Sequence, residues 1–298
     1  MYPVVQALIM SNINSNTLLK LLKQSATSAK ILQKFKKIFH IDFANKKHIN
    51  DNDLKYFTGV NSINLYGCYN ITNTGLAYLK GVLIIDVTFC NNITDAGLAH
   101  LKGVNTINLS TCIKITDTGL AHLKGVHTIN LSNCTKITNI GLAYLKGVHT
   151  INLSRCNKIT DVGMAHLKGV HTINLSGCTQ ITDIGVSHLI GVHNIDLSYC
   201  TITDAGVTYL QDVRFINLAG CEEITYVGLS YLKGVHTINL TNCNKITDIG
   251  LAYLKGVNTI NLDGCYKITD IGLAHLKEAN RIYFRLSFVD KMKSLRIT

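Results

Sequence analysis

Ten cysteines and twelve histidines are the residues of this chain best suited to chemistry. The cysteines stand at 68, 90, 112, 134, 156, 178, 200, 221, 243 and 265, with eight intervals of 22 residues and one of 21. Thiols can pair as disulfides, ligate zinc or act as nucleophiles. Recurrence at one phase argues against the first two. Equivalent residues of stacked units point the same way, so they neither face one another for pairing nor converge tetrahedrally on a metal. The expectation is a file of reduced, buried thiols in a reducing compartment, each bonding weakly to a loop carbonyl.

The histidines are periodic too. His127, His149, His171, His193 and His236 follow a valine, whereas His100, His122, His166, His188 and His275 share their phase with Tyr78, Tyr144, Tyr209, Tyr231 and Tyr253. Exchange of His for Tyr suits an amphipathic surface position, and neither file is expected to serve as a metal site or pH switch. No phosphate-binding glycine loop, His-Glu helix motif or singular nucleophile beside a base is present. The chain multiplies equivalents where an active site needs unique residues, so it reads as a non-enzyme without cofactor or metal.

The element that positions these residues is a repeat. Residues 125–146, GVHTINLSNCTKITNIGLAYLK, recur with little change at 147–168 and beyond, which is the signature of a solenoid. Within one unit Val126, Ile129, Leu131 and Cys134 fall in inward phase, and Thr128, Asn130 and Ser132 in outward phase, of a short strand. Ile137 opens the return path, and Thr138–Asn139 (Thr-Asp in most units) is a helix-start signal. Leu142 and Leu145 share a helical face, Lys146 suits the helix C-terminus, and Gly147 supplies a left-handed cap. The aligned Asn108, Asn130, Asn152, Asn174, Asn239 and Asn261 are expected to form an amide ladder.

The pattern V-x-x-I-N-L-S-x-C-x-x-I-T-D-x-G-L-x-x-L resembles the cysteine-containing leucine-rich repeat of many F-box receptor proteins. Val126, Ile129, Leu131, Cys134, Ile137, Gly141, Leu142 and Leu145 occupy its positions, and the match covers residues 59–277. These units are shorter than is usual for that family, so short helices are expected. The resemblance implies an α/β leucine-rich-repeat solenoid, a horseshoe arc with parallel strands on the concave face and short helices on the convex face.

Four segments follow: a helical cap at 1–36, a degenerate first repeat at 37–58, ten cysteine-bearing units at 59–277, and a C-terminal cap at 278–298. Ser15 and Asn16 are expected to cap a helix carrying Leu18, Leu19, Leu21 and Leu22. Residues 3–24, PVVQALIMSNINSNTLLKLLKQ, are similar to an F-box in their leucine pairs but lack its Leu-Pro opening and later Trp. MYPVVQALIM lacks the features of a signal peptide. A cytoplasmic monomer without a membrane span is expected.

The net charge of +11 comes from two lysines against one aspartate in a typical unit. Rows such as Lys114, Lys136, Lys158, Lys245 and Lys267 could meet phosphates or an acidic membrane, although they lack interleaved arginines and aromatics. Recognition is expected where the copies differ. At 191–233 one residue is deleted after Cys200, in a loop, and Tyr199, Asp212, Arg214, Phe215, Glu222, Glu223 and Tyr226 enter. Tyr66, Tyr69, Asp86 and Phe89 form a second irregular patch, and Arg281, Tyr283 and Arg285 a third. Drift in tolerant surface positions is the alternative for each. The resemblance implies a protein-interaction scaffold, with an F-box-like role as the substrate-recognition subunit of a cullin-type ubiquitin ligase, its adaptor held by residues 1–36. Polyanion binding, or an array without a specific partner, are the other readings.

Overall fold

The computed structural model describes residues 13–285, which divide into two compact bodies, one ending at Val148 and one beginning at His149. The opening of the F-box-like segment, residues 3–12, and residues 286–298 of the C-terminal cap lie outside the described residues.

In the first body two helices, α1 (Ser15–Gln24) and α2 (Ala26–Phe35), precede five strands: β1 (His40–Asp42), β2 (Ser62–Asn64), β3 (Ile84–Asp86), β4 (Thr106–Asn108) and β5 (Thr128–Asn130). The strands pair in parallel, each with the next in sequence, Ile41 aligning with Ile63, Ile85, Ile107 and Ile129 in turn. The second body continues the pattern with β6 (Thr150–Asn152), β7 (Thr172–Asn174), β8 (Asn194–Asp196), β9 (Phe215–Asn217), β10 (Thr237–Asn239), β11 (Thr259–Asn261) and β12 (Arg281–Tyr283). These strands also pair in parallel with their sequence neighbours. The 21-residue unit keeps register, with Asn194 aligned to Phe215, because the deletion falls in the loop. There the Thr201 hydroxyl lies 3.4 and 3.3 Å from the Thr179 and Ile181 carbonyls of the preceding unit.

From one unit to the next the buried side chains recur, with Lys46 exposed at the cysteine position of the first unit and Leu273 half-buried in the last cysteine-bearing one. Val126, Ile129, Leu131, Cys134, Ile137, Leu142 and Leu145 are all buried, and their counterparts recur along both bodies. A unit exposes too much apolar surface to stand alone, and stacking removes it from water at about 25 cal/mol per Å². The helical segment is short, as expected: Asn139–Ala143 is a single turn capped by Thr138, and Gly147, at φ +85°, turns the chain where a side chain would be strained.

Three local expectations need correction. The cap of α1 is Asn14, whose side chain accepts from the Thr17 amide at 3.0 Å, and not Ser15 or Asn16. Ser15 instead accepts from the Asp42 amide at 2.7 Å, satisfying a donor on β1. The amide ladder gives way to a local bond. Asn108, Asn130, Asn152, Asn174, Asn239 and Asn261 each accept, at 2.9–3.0 Å, from the amide two residues on, closing the turn after their own strand. Ser132 is buried and not on the solvent face, its hydroxyl 2.6 Å from that of Ser110.

Leu18, Leu19 and Leu22 of α1 and Ile31 and Leu32 of α2 are buried, and Lys23 reaches the buried Asp53 carboxylate of the first unit at 2.5 Å. The helices are therefore fastened to the first repeat. Replacing Ser15 with Ala strands the Asp42 amide and is expected to destabilise the first body by about 1–2 kcal/mol in urea denaturation.

Candidate interaction surface

The thiols form the predicted interior file. All ten cysteines are free and buried. The Sγ of Cys134 donates to the Leu109 carbonyl at 3.2 Å, and the same bond runs from Cys68 to Phe43 and from Cys265 to Leu240. The Leu109 carbonyl also accepts the Cys112 amide at 2.9 Å, so both lone pairs are used. Burial pushes the Cys68 and Cys265 thiols up to about 11, and those of Cys90, Cys134 and Cys221 up to about 12. Such thiols are poor nucleophiles at neutral pH, and the file is structural.

A second file was not foreseen. The Asp95 carboxylate accepts the Thr116 amide at 2.8 Å and the Thr116 hydroxyl at 2.5 Å, clamping one helix start to the next. Asp51, Asp117, Asp161, Asp183, Asp204 and Asp248 repeat this with the following threonine. Asn73 does so with its amide. Thr-Asp reads locally as a helix start, and only the stacked geometry reveals that the aspartate serves the next unit.

The irregular residues fall on this regular frame in separate places. Phe215 opens β9 where the neighbouring strand β10 has threonine; it is 45% exposed and meets the His236 ring edge-on at 5.6 Å. The exposed Arg214 precedes it. Tyr199 lies beyond the other end of β8, 61% exposed, beside Gly220, where a Cβ would meet the Tyr199 ring at 2.7 Å. Glu222 and Glu223 lie in the turn after Cys221, Glu223 bound to Lys245 at 2.6 Å. Asp196, overlooked in the sequence, ties this region together. It receives the Asn217 amide at 3.1 Å and the Ser198 hydroxyl at 2.6 Å. Its signal was an aspartate at a strand position that otherwise favours asparagine.

Tyr66 and Phe89 pack edge-on at 5.6 Å, and Asp86 accepts from Asn108 at 3.0 Å. Arg281, Tyr283 and Arg285 are exposed, the first two on β12, three strands along the sheet from Phe215. Phe89 and Tyr199 occupy a position with the same backbone conformation in every cysteine-bearing unit. The residue before the cysteine is left-handed, and it is glycine at Gly67, Gly177, Gly220 and Gly264 and Thr111, Asn133, Arg155 and Asn242 in the remaining units. Phe89 and Tyr199 adopt it at φ +63° and +59°. A side chain there costs about 1 kcal/mol, and six of the ten cysteine-bearing units carry one.

Three of the histidines that follow the valine stack face to face in the second body. His149 and His171 have ring centroids 4.6 Å apart, and His171 and His193 4.3 Å apart. Burial within the stack, then the charges of His193 and His149, hold His171 below the usual imidazole range. On the helix side, Lys124 lies over the Tyr144 ring and Lys233 over Tyr253, so these lysines already have partners. Among the described residues no helix is long and apolar enough to cross a membrane.

Parallel strands alternating with short helices in units of about 22 residues give this chain the leucine-rich-repeat fold. The buried thiol of each cysteine-bearing unit fits the cysteine-containing form of that repeat. Residues 193–211 match the family described as Leucine Rich repeat. No curated protein matches the chain by sequence. Among solved structures, an internalin (inlF) from Listeria monocytogenes is similar at 18% identity and a TM-score of 0.62, over 92% of this chain and 95% of that one. A chain of the Rad7 and Elc1 complex in yeast is similar at 15% and 0.53, over 93% and 85%. A chain of the TLR13-ssRNA13 complex is similar at 14% and 0.61, over 84% of this chain and 43% of that one.

Proposed function

We propose that this solenoid is a non-catalytic protein-binding scaffold whose regular units act as spacers and whose recognition surface is the irregular stretch around Tyr199, Arg214 and Phe215. The observation that carries this reading is Tyr199, a large aromatic 61% exposed at the left-handed position before the cysteine, where the other units of its body have Arg155, Gly177, Gly220, Asn242 and Gly264. Arginine and aromatic side chains are the common anchors of protein interfaces. The patches at Tyr66 and Phe89 and at Arg281, Tyr283 and Arg285 are secondary anchors on the same reasoning.

The finer role, substrate recognition for a cullin-type ubiquitin ligase with an adaptor on residues 1–36, rests on the F-box resemblance. The likeness to a chain solved in the Rad7 and Elc1 complex is compatible with partner docking. The buried leucines of α1 favour a capping role for that segment, which leaves substrate binding as the better-supported half of the reading. The free thiols fit the cytoplasm.

Returning the patch to glycine and to repeat-like residues tests it. Tyr199→Gly relieves backbone strain, so its thermal midpoint is expected to stay level or rise while capture of the partner falls at least tenfold. Arg214→His with Phe215→Thr should lose capture in the same way. Undiminished capture by the triple variant would remove the patch from the account.

A further inference from the structure

We propose that the first body binds an arginine side chain of an extended protein segment at Asp86, on β3. This names the partner chemistry of the Tyr66 and Phe89 patch and rests on reading that patch as a protein-binding anchor. Residues 13–148 contain six carboxylates, at Asp42, Asp51, Asp53, Asp86, Asp95 and Asp117. Four are committed inside the fold: Asp51, Asp95 and Asp117 hold the clamp threonines, and Asp53 holds Lys23. Asp42 lies on the edge strand and lines a cleft together with His40 and Lys46. Asp86 remains, half-buried on the strand face, and among the described residues no ion pair engages it. The repeat does not need its charge. In a regular unit asparagine closes the turn with Oδ1, as Asn130 does with the Ser132 amide. Asp86 Oδ1 closes it equally well, accepting the Thr88 amide at 2.8 Å. The difference is Oδ2, an anionic acceptor where a regular unit has an amide donor. It receives one bond, from Asn108 at 3.0 Å, and has capacity for another.

A second acceptor stands beside it. Thr88 is 5% exposed, and its Oγ1 has no hydrogen-bond partner. At the same position Ser198 and Thr241 turn their hydroxyls to the side-chain oxygen two residues before, at 2.6 Å each, so this position faces the Asp86 carboxylate. Elsewhere these hydroxyls also bond along the file, as Ser110 does to Ser132 at 2.6 Å, but Tyr66 interrupts the file next to Thr88. A buried hydroxyl without a partner is costly unless a ligand supplies one. Tyr66 and the exposed Phe89 add ring faces at this end of β3, and Leu83 and Ile84 are exposed at its start. Arginine matches the set. Its planar guanidinium donates in a fork, here to carboxylate and hydroxyl, and lies flat on an aromatic ring. A lysine ammonium is a point charge and lacks the plane. Ile84 precedes Asp86 by two residues on the same face, about 7 Å away, which is the spacing of side chains i and i+2 in an extended segment. The segment therefore carries an aliphatic residue two positions from its arginine.

Amide-shift titration of the isotope-labelled full chain with the peptide acetyl-Ser-Leu-Ser-Arg-Ser-Leu-Ser-amide, at millimolar concentration, tests it. Shifts centred on residues 83–91 are expected. Affinity should fall at least fivefold in Asp86→Asn, and as much when citrulline, the uncharged isostere, or lysine replaces the peptide's arginine. Asparagine is already native to this position at Asn108 and Asn130, so the variant keeps the fold. Asp196→Asn in the second body should leave the affinity unchanged. Absence of binding by the native chain, undiminished binding by Asp86→Asn, or a citrulline or lysine peptide that binds as tightly would overturn the proposal. Capture by the Tyr199, Arg214 and Phe215 variants decides the scaffold reading separately, so the two failures are told apart.

Discussion

Above pH 9 the body formed by residues 13–148 is expected to lose stability at about 5 kcal/mol per pH unit. It contains Cys68, Cys90, Cys112 and Cys134, all raised by burial, Cys68 to about 11 and Cys90 and Cys134 to about 12. The unfolded chain ionises these thiols near 9, whereas the native body keeps them protonated. Native protein then binds more protons than unfolded protein, so stability is complete below pH 9 and drains away as pH climbs towards 11–12. Each thiol contributes about 1.4 kcal/mol per unit across that window. Urea midpoints in reductant should be flat from pH 7 to 8.5 and fall steeply beyond. Cys134→Ala should remove about one proton from the slope. A midpoint that holds to pH 10.5 would mean that the file is not sealed from water.

Replacing the helix glycine Gly119 with alanine is expected to destabilise the same body by about 2 kcal/mol, although alanine is the better helix former by about 1 kcal/mol. The reason is the clamp. A Cβ at Gly119 would run into the Asp95 carboxylate oxygen and meet Leu98 Cδ1 at 3.0 Å. Asp95 cannot swing aside without dropping both bonds to Thr116, and hydrogen bonds to a charged group are worth about 1.5–3 kcal/mol. The converse substitution sits at Tyr226, which stands where other units have the clamping aspartate or asparagine. Tyr226→Asp builds a carboxylate opposite Thr247 and is expected to add about 1 kcal/mol to the second body. Denaturant titration of the two variants reads opposite signs if the clamp is real.

The two substitutions also mark how far the sequence can be read. Period and apolar phase were enough for the strand and the inward faces of Val126, Ile129, Leu131 and Cys134, because each follows from stacking one unit on the next, and the family resemblance supplied the parallel pairing. The register even survives the shortened unit at Cys200. What escaped was every interaction whose local explanation looked sufficient. Asp95 passed as a helix-start residue, Asn130 passed as a ladder rung when it closes its own turn, and Ser15 passed as a cap when it serves β1. A residue with two plausible partners is decided by distance, which a one-dimensional pattern lacks.

The surface was legible in a different sense. Departures from the repeat picked out Phe215, Tyr199, Phe89 and Tyr66, and the structure puts Phe89 and Tyr199 at the left-handed position that precedes each cysteine. It also separates what the sequence grouped, since Tyr199 and Phe215 lie towards opposite ends of adjacent strands. Asp196, at the end of β8 and fixed by Asn217 and Ser198, is the residue that a search for aromatic and basic anchors passes over.

Recognition by the units that differ is the claim on which the function rests, and position-specific photocrosslinking tests it most directly. A photoreactive phenylalanine analogue at Phe215 is compared with the same analogue at Thr128, its counterpart on β5 in a regular unit. A partner crosslinked from position 215 and not from 128 is the predicted result. Equal yield from both positions, or yield from 128 alone, would contradict it.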